Sequence, residues 1–339
     1  MKIAILFGGK SSEHDISIKS ATSIINNLDN SKYDIYLIYI GKDGLFYKCD
    51  NIRNLEEIKK ISNIIEYLEN IDVVFPVLHG KYGEDGSIQG FLETINKKYV
   101  GCKVLSSSIC MDKIYAKMLF EKAGINTAEW LYIKKKDNKY LYIDKSFEEY
   151  LLNKEELIKL VEEKINFPVF IKPSREGSSF GVNKAKTKDD VINYLEEAFK
   201  YDEKVLVEKD IIGKEVECAI LENNEILVSE VGEILSGEEF YSFSSKYKNK
   251  NSKTIIPANI NTEISNEIKA FAQKAYKLCD CKGLARIDFF IEKDTNKIYL
   301  NEINTLPGFT EISMYPKLIE DIGITYSELL DRLINLSIL

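Results

Sequence analysis

Four side chains between Leu284 and Gly308 have the types and spacing to hold a divalent cation against a phosphate: Arg286, Asp288, Glu302 and Asn304. Two carboxylates and an amide oxygen are hard ligands that suit Mg2+ or Mn2+, ions that keep several waters and share coordination with substrate phosphates. A nucleotide is the implied companion. For that chemistry the four must converge, and a β-hairpin supplies the means. Leu-Ala-Arg286-Ile-Asp288-Phe-Phe-Ile, a polar turn at Asp294-Thr-Asn296, and Ile298-Tyr-Leu-Asn-Glu302-Ile-Asn304 alternate apolar and polar residues. Residues two apart share a face, so Arg286 pairs with Asp288 and Glu302 with Asn304. Both pairs on one side make a site; otherwise the stretch is a surface hairpin with solvated charges. The tail Thr305-Leu-Pro307-Gly308 leaves the strand at once into a turn whose amides can face an anion.

Two further stretches carry charge beside glycine. Phe167 to Pro173 reads as a strand that ends near Lys172 and runs into Ser174-Arg-Glu-Gly177-Ser178-Ser179-Phe-Gly181. A lysine next to a Gly/Ser loop resembles a phosphate clasp, although a solvated lysine before an ordinary turn has the same pattern. His79-Gly-Lys-Tyr-Gly83-Glu84-Asp85-Gly86-Ser-Ile-Gln-Gly90 follows an apolar run, Ile71 to Leu78, and sets His79 and Glu84 at a ligand's edge or forms a plain strand-to-helix turn. Gly8-Gly9-Lys10-Ser11 ends like a P-loop, but Ala4 stands where that motif needs its first glycine, and Lys10 breaks a dinucleotide fingerprint.

The elements that must position these residues follow from periodicity. Lys2 to Phe7, Tyr33 to Ile40 and Ile71 to Leu78 read as strands, with helical segments after Asp15 and from Leu55 to Leu68, which predicts a parallel α/β sheet with sites at the strands' carboxyl ends. Asp112 caps a helix from Lys113 to Ala123 that Gly124 ends, and Lys134 to Lys139 is a loop or a turn between edge strands. Val205 to Lys209 and Glu215 to Leu221 are strands. Gly232 to Pro257 reads as a long polar loop whose Phe240, Tyr241, Phe243, Lys246 and Tyr247 favour a lid.

The 339 residues are enough for two or three domains, and 45% apolar with 29% charged residues is a globular balance. A net charge of −8 argues against a nucleic-acid surface. The opening apolar run is too short for a signal peptide and no stretch reaches membrane-spanning length, so a cytoplasmic protein with no membrane partner is expected. Six scattered cysteines lack zinc-site spacing and are expected to be reduced and mostly buried.

Taken together, the Gly8-Gly9 to Ser17 loop, the His79 to Gly86 box, the Lys172 to Ser179 loop and the Arg286 to Gly308 hairpin resemble the D-alanine:D-alanine ligases of the ATP-grasp superfamily, over essentially the whole chain. The resemblance implies an N-terminal Rossmann-like α/β domain (1–108) and a two-part α+β ATP-grasp fold, central (109–205) and C-terminal with metal site and lid (206–339). It implies ATP, two Mg2+ or Mn2+ ions, D-alanine as substrate, and a homodimer. It assigns Asp288, Glu302 and Asn304 to the metals, and Lys113, Lys172, Ser178, Glu208, Lys209, Ile211 and Glu215 to ATP. Arg286 and the Gly308 amide would stabilise an oxyanion; Glu13 would bind the first D-alanine's ammonium, with His79 nearby. Glu84, Ser178 and Tyr247 match a hydrogen-bonded set under the lid, with Lys246 beside Tyr247, and Ser313 and Met314 match the second-substrate side. The family commonly shows Ser-His-Ser beyond Gly308, where this chain has Glu311-Ile312-Ser313. Ligases joining D-alanine to D-serine or D-lactate stay open as alternatives, as does a non-catalytic nucleotide-binding homologue.

Overall fold

The computed structural model describes residues 1–222, 225–235 and 253–338. Three five- or six-stranded sheets organise them. The first has the order β4-β3-β2-β1-β5, built from β1 (Lys2–Gly8), β2 (Asp34–Ile40), β3 (Phe46–Cys49), β4 (Lys59–Lys60) and β5 (Val73–Val77). β1 lies parallel to both β2 and β5. Helices cover both faces: α1 (His14–Asn27) on one, α2 (Ile64–Glu69) and α3 (Ser87–Thr94) on the other. Burial on both faces explains why β1 and β5 are continuous apolar runs rather than alternating ones.

Of the expected helix from Leu55 to Leu68 only the last part forms, as α2. Asn51 and Asn54 accept from the backbone N–H of Arg53 and Glu56, β4 pairs with β3, and α2 starts only where the Asn63 side chain caps Glu66 N at 3.3 Å. Asparagine side chains that satisfy nearby amides compete with the helix ladder, and three of them break this stretch.

After α4 (Val104–Met111) and α5 (Lys113–Lys122), whose N-cap is Asp112 as expected, the second sheet has the order β10-β9-β11-β6-β7-β8. Its strands are β6 (Trp130–Lys136), β7 (Lys139–Ile143), β8 (Glu149–Leu152), β9 (Val169–Pro173), β10 (Asn183–Ala185) and β11 (Lys204–Lys209), all antiparallel. The polar stretch Lys134 to Lys139 turns tightly between β6 and β7. Helices α6 (Lys154–Lys164) and α7 (Lys188–Ala198) bury Leu157, Val161, Val191 and Leu195 against Ile133, Ile171, Val205 and Val207.

The third sheet has the order β14-β13-β12-β15-β16: β12 (Gly213–Glu222), β13 (Ile226–Leu235), β14 (Lys253–Ile255), β15 (Leu284–Glu292) and β16 (Ile298–Asn304), again antiparallel. The α8 helix (Thr262–Leu278) packs Ile268, Ala272, Ala275 and Tyr276 on Val216, Cys218, Ile287 and Phe289. Alternation then fixes the other face, where Glu217, Arg286 and Asp288 stand. The ends of the expected loop 232–257 are strand instead: Glu233, Ile234 and Leu235 pair with Ile255, Thr254 and Lys253. Its aromatic centre, with Lys246 and Tyr247, lies outside the described residues. The expected domain boundaries at 108/109 and 205/206 fall inside α4 and β11. All six cysteines are free and buried, and Cys110 and Cys281, far apart in sequence, bring their sulfurs to 4.0 Å.

A core joins the first sheet to the end of the chain. Phe309 is fully buried, with its ring 6.1 Å from Phe75 on β5, 5.6 Å from Tyr315 on α9 (Met314–Asp321) and 6.2 Å from Tyr326 on α10 (Tyr326–Leu336). Phe309→Ala should remove about 3–5 kcal/mol of stability, because the cavity opens among elements that cannot all collapse into it. Urea unfolding checks this, and a loss under 1 kcal/mol would show the junction to be loosely packed.

Candidate active site

The charged faces of the second and third sheets look at each other across a cavity of about 690 Å3, closed at one end by loops of the first sheet. Its wall includes Glu13, His79, Glu84, Lys113, Lys172, Ser178, Glu208, Lys209, Ile211, Glu215, Arg286, Glu302, Asn304, Gly308, Ser313 and Met314. Residues the sequence singled out from four separate segments thus line one space.

On the hairpin, Arg286 lies opposite Asn304 and Asp288 opposite Glu302, and the register shifts only beyond Asp288, so both pairs fall on one face. Arg286 forks onto Asp288, with Nε 2.8 Å from Oδ1 and Nη2 2.7 Å from Oδ2, while its Nε lies 3.0 Å from Glu217. Burial would lower the Arg286 pKa, but Asp288 and Glu217 raise it well above its ordinary value. Asn304 Nδ2 donates to Asp288 Oδ2 at 2.9 Å. Asp288 therefore lies behind Arg286 and Asn304 rather than in the cavity wall. Among the described residues no cluster of three His, Cys, Asp or Glu side chains forms a cation cage. The set Asp288, Glu302 and Asn304 fits a hard cation by donor chemistry, since all three bring oxygen and two bring charge.

Across the cavity, Lys172 Nζ lies 2.5 Å from Glu208 Oε2, and Lys117 Nζ contacts the other carboxylate oxygen. Burial alone would raise the Glu208 pKa; the two lysines overcome it and lower it. Lys117 is 1% exposed and escaped the sequence reading, although it lies four residues after Lys113 on the same helix face. Glu217 was also missed, because a carboxylate two residues from Glu215 on a strand reads as ordinary alternation. Lys113 Nζ lies 3.4 Å from Glu302.

The first sheet supplies the remaining wall. Ser178 Oγ donates to Glu13 Oε1. A Cβ at Gly80 or Gly177 would come within 2.5 or 2.6 Å of Glu13 Oε2, so two glycines from different segments make room for one carboxylate. Glu84 accepts from Gly80 N at 2.6 Å. Burial, then the charge of Glu13, pushes its pKa up to about 8, so it holds a proton near neutrality. His79 bonds Ser20 Oγ at 2.9 Å, and burial takes its pKa down to about 4, leaving the ring neutral. At the far end a Cβ at Gly308 would sit 2.8 Å from Ser313 Oγ, which accepts from Thr310 N at 3.0 Å; Met314 is buried behind it and Ile312 is exposed.

Two antiparallel sheets enclosing a lysine- and carboxylate-lined cleft, joined to an α/β unit whose sheet is parallel at β2-β1-β5 and antiparallel at β3 and β4, define the ATP-grasp fold. The family model of the D-ala D-ala ligase N-terminus matches residues 2–102, and that of the C-terminus matches 119–335. The chain belongs to the D-alanine–D-alanine ligase family. It is 46% identical to a D-alanine–D-alanine ligase of Caldicellulosiruptor bescii, covering 100% of this chain and 95% of that one, and 45% identical to one of Clostridium acetobutylicum, covering 99% and 97%. Among solved structures it is similar to the VanG D-Ala:D-Ser ligase of Enterococcus faecalis (TM-score 0.84, 36% identity, 99% of both chains). It is also similar to the D-alanine-D-alanine ligase of Coxiella burnetii (TM-score 0.85, 33% identity, 100% and 94%).

The buried acid gives a pH prediction. Unfolded, the Glu84 carboxyl releases its proton near 4.5, and folded near 8, so folding takes up a proton in between and stability falls as pH rises through that window. Glu84→Gln, fixed in the neutral form, should flatten the fall, with its advantage over the parent greater at pH 8 than at pH 5. Equal differences in urea midpoint at the two pH values would show that Glu84 ionises normally.

Proposed function

We infer that the protein joins two D-alanine molecules in an ATP-dependent reaction, the dipeptide serving as a peptidoglycan precursor. The observation that carries this reading is the convergence of Glu13, Lys172, and Arg286 with Glu302, from three distant segments, on one cavity. A carboxylate is a poor electrophile. ATP passes its γ-phosphoryl group to one carboxylate oxygen of the first D-alanine, giving ADP and an acyl phosphate. The amine of the second D-alanine attacks that carbonyl, the tetrahedral intermediate expels phosphate, and a proton is lost from nitrogen.

Catalysis of this kind is mainly positioning and charge neutralisation. Lys113 and Lys172 meet the ATP phosphates, and Lys117 holds Glu208 so that Lys172 stays aligned. Apolar Phe170, Ile211 and Phe290 in the cavity wall suit a purine ring beside the Lys209 to Ile211 backbone, with Glu208 and Glu215 at its polar edges. Glu302 and Asn304 in the cavity wall, with Asp288 behind them, would hold Mg2+ or Mn2+, which would supply neutralising charge to the phosphates when bound. Glu13, aligned by Ser178, binds the first ammonium, and neutral His79 and protonated Glu84 line that subsite without adding charge. Arg286 and the Gly308 amide face the oxyanion. Ser313 and Met314 border the second amino acid. We assign the chain three units meeting near residues 108 and 205, a homodimeric state and, from its free thiols and use of ATP, a cytoplasmic location.

A second reading, D-serine or D-lactate as the second substrate, is left open by one feature: the exposed Ile312 beside Glu311 at the cavity edge, where the family commonly carries histidine. Phosphate release with Mg2+, ATP and D-alanine alone, and D-alanyl-D-alanine by mass, is the expected outcome; release only after D-serine or D-lactate is added would select the second reading. Arg286→Ala and Glu302→Ala should each lower kcat about 100-fold or more, and unchanged turnover in both would overturn the site.

A further inference from the structure

The loop from Ser174 to Gly181 has a fixed stem and a tip gripped by another part of the chain. At the stem, Ser174 N donates to Lys204 O at 2.9 Å and its Oγ to Asp112 at 2.8 Å, while Arg175 forks onto Asp202 at 3.1 and 2.5 Å. The next residue, Glu176, leaves that sheet for the loops of the first one. Its Oε1 lies 3.3 Å from Lys81 Nζ, and its Oε2 accepts from Ser12 Oγ at 3.4 Å. Lys81 makes a second bond, to Tyr201 O at 3.0 Å, and so ties the His79 to Gly86 box to two segments of the second sheet's unit.

Glu176 also stands between the two halves of the proposed reaction. Its own carbonyl accepts from Lys113 Nζ at 2.8 Å, on the phosphate side. The residues that follow it, Gly177 and Ser178, close on Glu13, on the amino-acid side. Ser178 and Ser179 have φ of +47° and +61°, left-handed conformations that serine keeps only under outside restraint. Beyond the stem, Phe180 N donates to Gly177 O at 3.1 Å within the tip, and on the N-terminal side Glu176 ties the tip to Lys81 and Ser12.

We propose that Lys81 and Glu176 form a latch that seats the tip of this loop on Glu13 and thereby sets the affinity for the amino acid bound first; both are positioning residues that act through Ser178 and Lys113. The proposal rests on the reading of Glu13 as the ammonium site, and its test separates the two. In the ligand-free protein, hydrogen exchange of the peptide covering residues 176–180 should quicken in Lys81→Ala and in Glu176→Gln, and return to the parent rate in Lys81→Arg. In steady-state assays at saturating ATP, Lys81→Ala and Glu176→Gln should each raise KM for the first D-alanine about three- to fivefold with kcat within about twofold, as for a partly exposed ion pair. The double variant should be no worse than either single one. Lys81 is one-third exposed, so its truncation leaves the core intact. Unchanged exchange in Lys81→Ala, or single effects that multiply in the double variant, would overturn the latch, and quickened exchange with unchanged KM would overturn its role in binding. Absence of D-alanine-dependent turnover in the parent protein would count against the functional reading instead, with the exchange rates still deciding whether the latch exists.

Discussion

Glu208 sits between Lys117 and Lys172 with almost no water around the three, and much of the structure follows from keeping that group together. A buried carboxylate without partners is driven to take a proton, and a buried lysine to lose one; here the two lysines hold the Glu208 pKa below its ordinary value despite burial, while Glu208 opposes the burial that lowers the Lys117 pKa. The two lysines come from different elements, a helix and a strand, so α5 must lie across β9 and β11 at one height. Asp112 enforces this. It caps α5 with one oxygen, which also accepts from Ser174 Oγ, and takes Lys204 Nζ at 2.6 Å on the other. One aspartate thus fixes a helix start, a loop stem and the strand that carries Glu208.

The same economy of charge governs the facing sheet. Arg286 is neutralised by Asp288 and Glu217, and Lys113 by Glu302, so the cleft pairs positive with negative groups on both walls before any ligand arrives. A nucleotide with its cation would bring its own balance of charges into a space already arranged to receive them, which lowers the reorganisation needed at reaction. The N-terminal sheet adds a different quality. Its contributions, neutral His79 and protonated Glu84, are polar without net charge, and that suits the recognition of a small zwitterion beside the single charge of Glu13.

Much of this was legible in the residues. The hairpin's period-two pattern paired Arg286 with Asp288 and Glu302 with Asn304, and the strand register then places both pairs on one face. The Asp112 cap, the strand carrying Lys172, and the parallel β1 and β5 also followed from local rules. The helix expected over Leu55 to Leu68 formed only from Ile64, since asparagines satisfied the backbone locally before it, and the ends of the long loop after Gly232 proved to be strand because β13 and β14 find each other across it.

By itself the sequence determined which residue types stand at each turn of helix or strand, hence which face of every sheet is apolar and which carries charge, because those periodicities are local. Tertiary structure alone decided who meets whom. That Lys117 neutralises Glu208, that Asp288 is held behind Arg286 instead of lining the cavity, and that Glu176 reaches Lys81 across nearly a hundred residues of chain depend on how separate sheets dock. Docking of the first and third sheets is set by shape and volume at the shared core around Phe309, and no residue's own spacing records it.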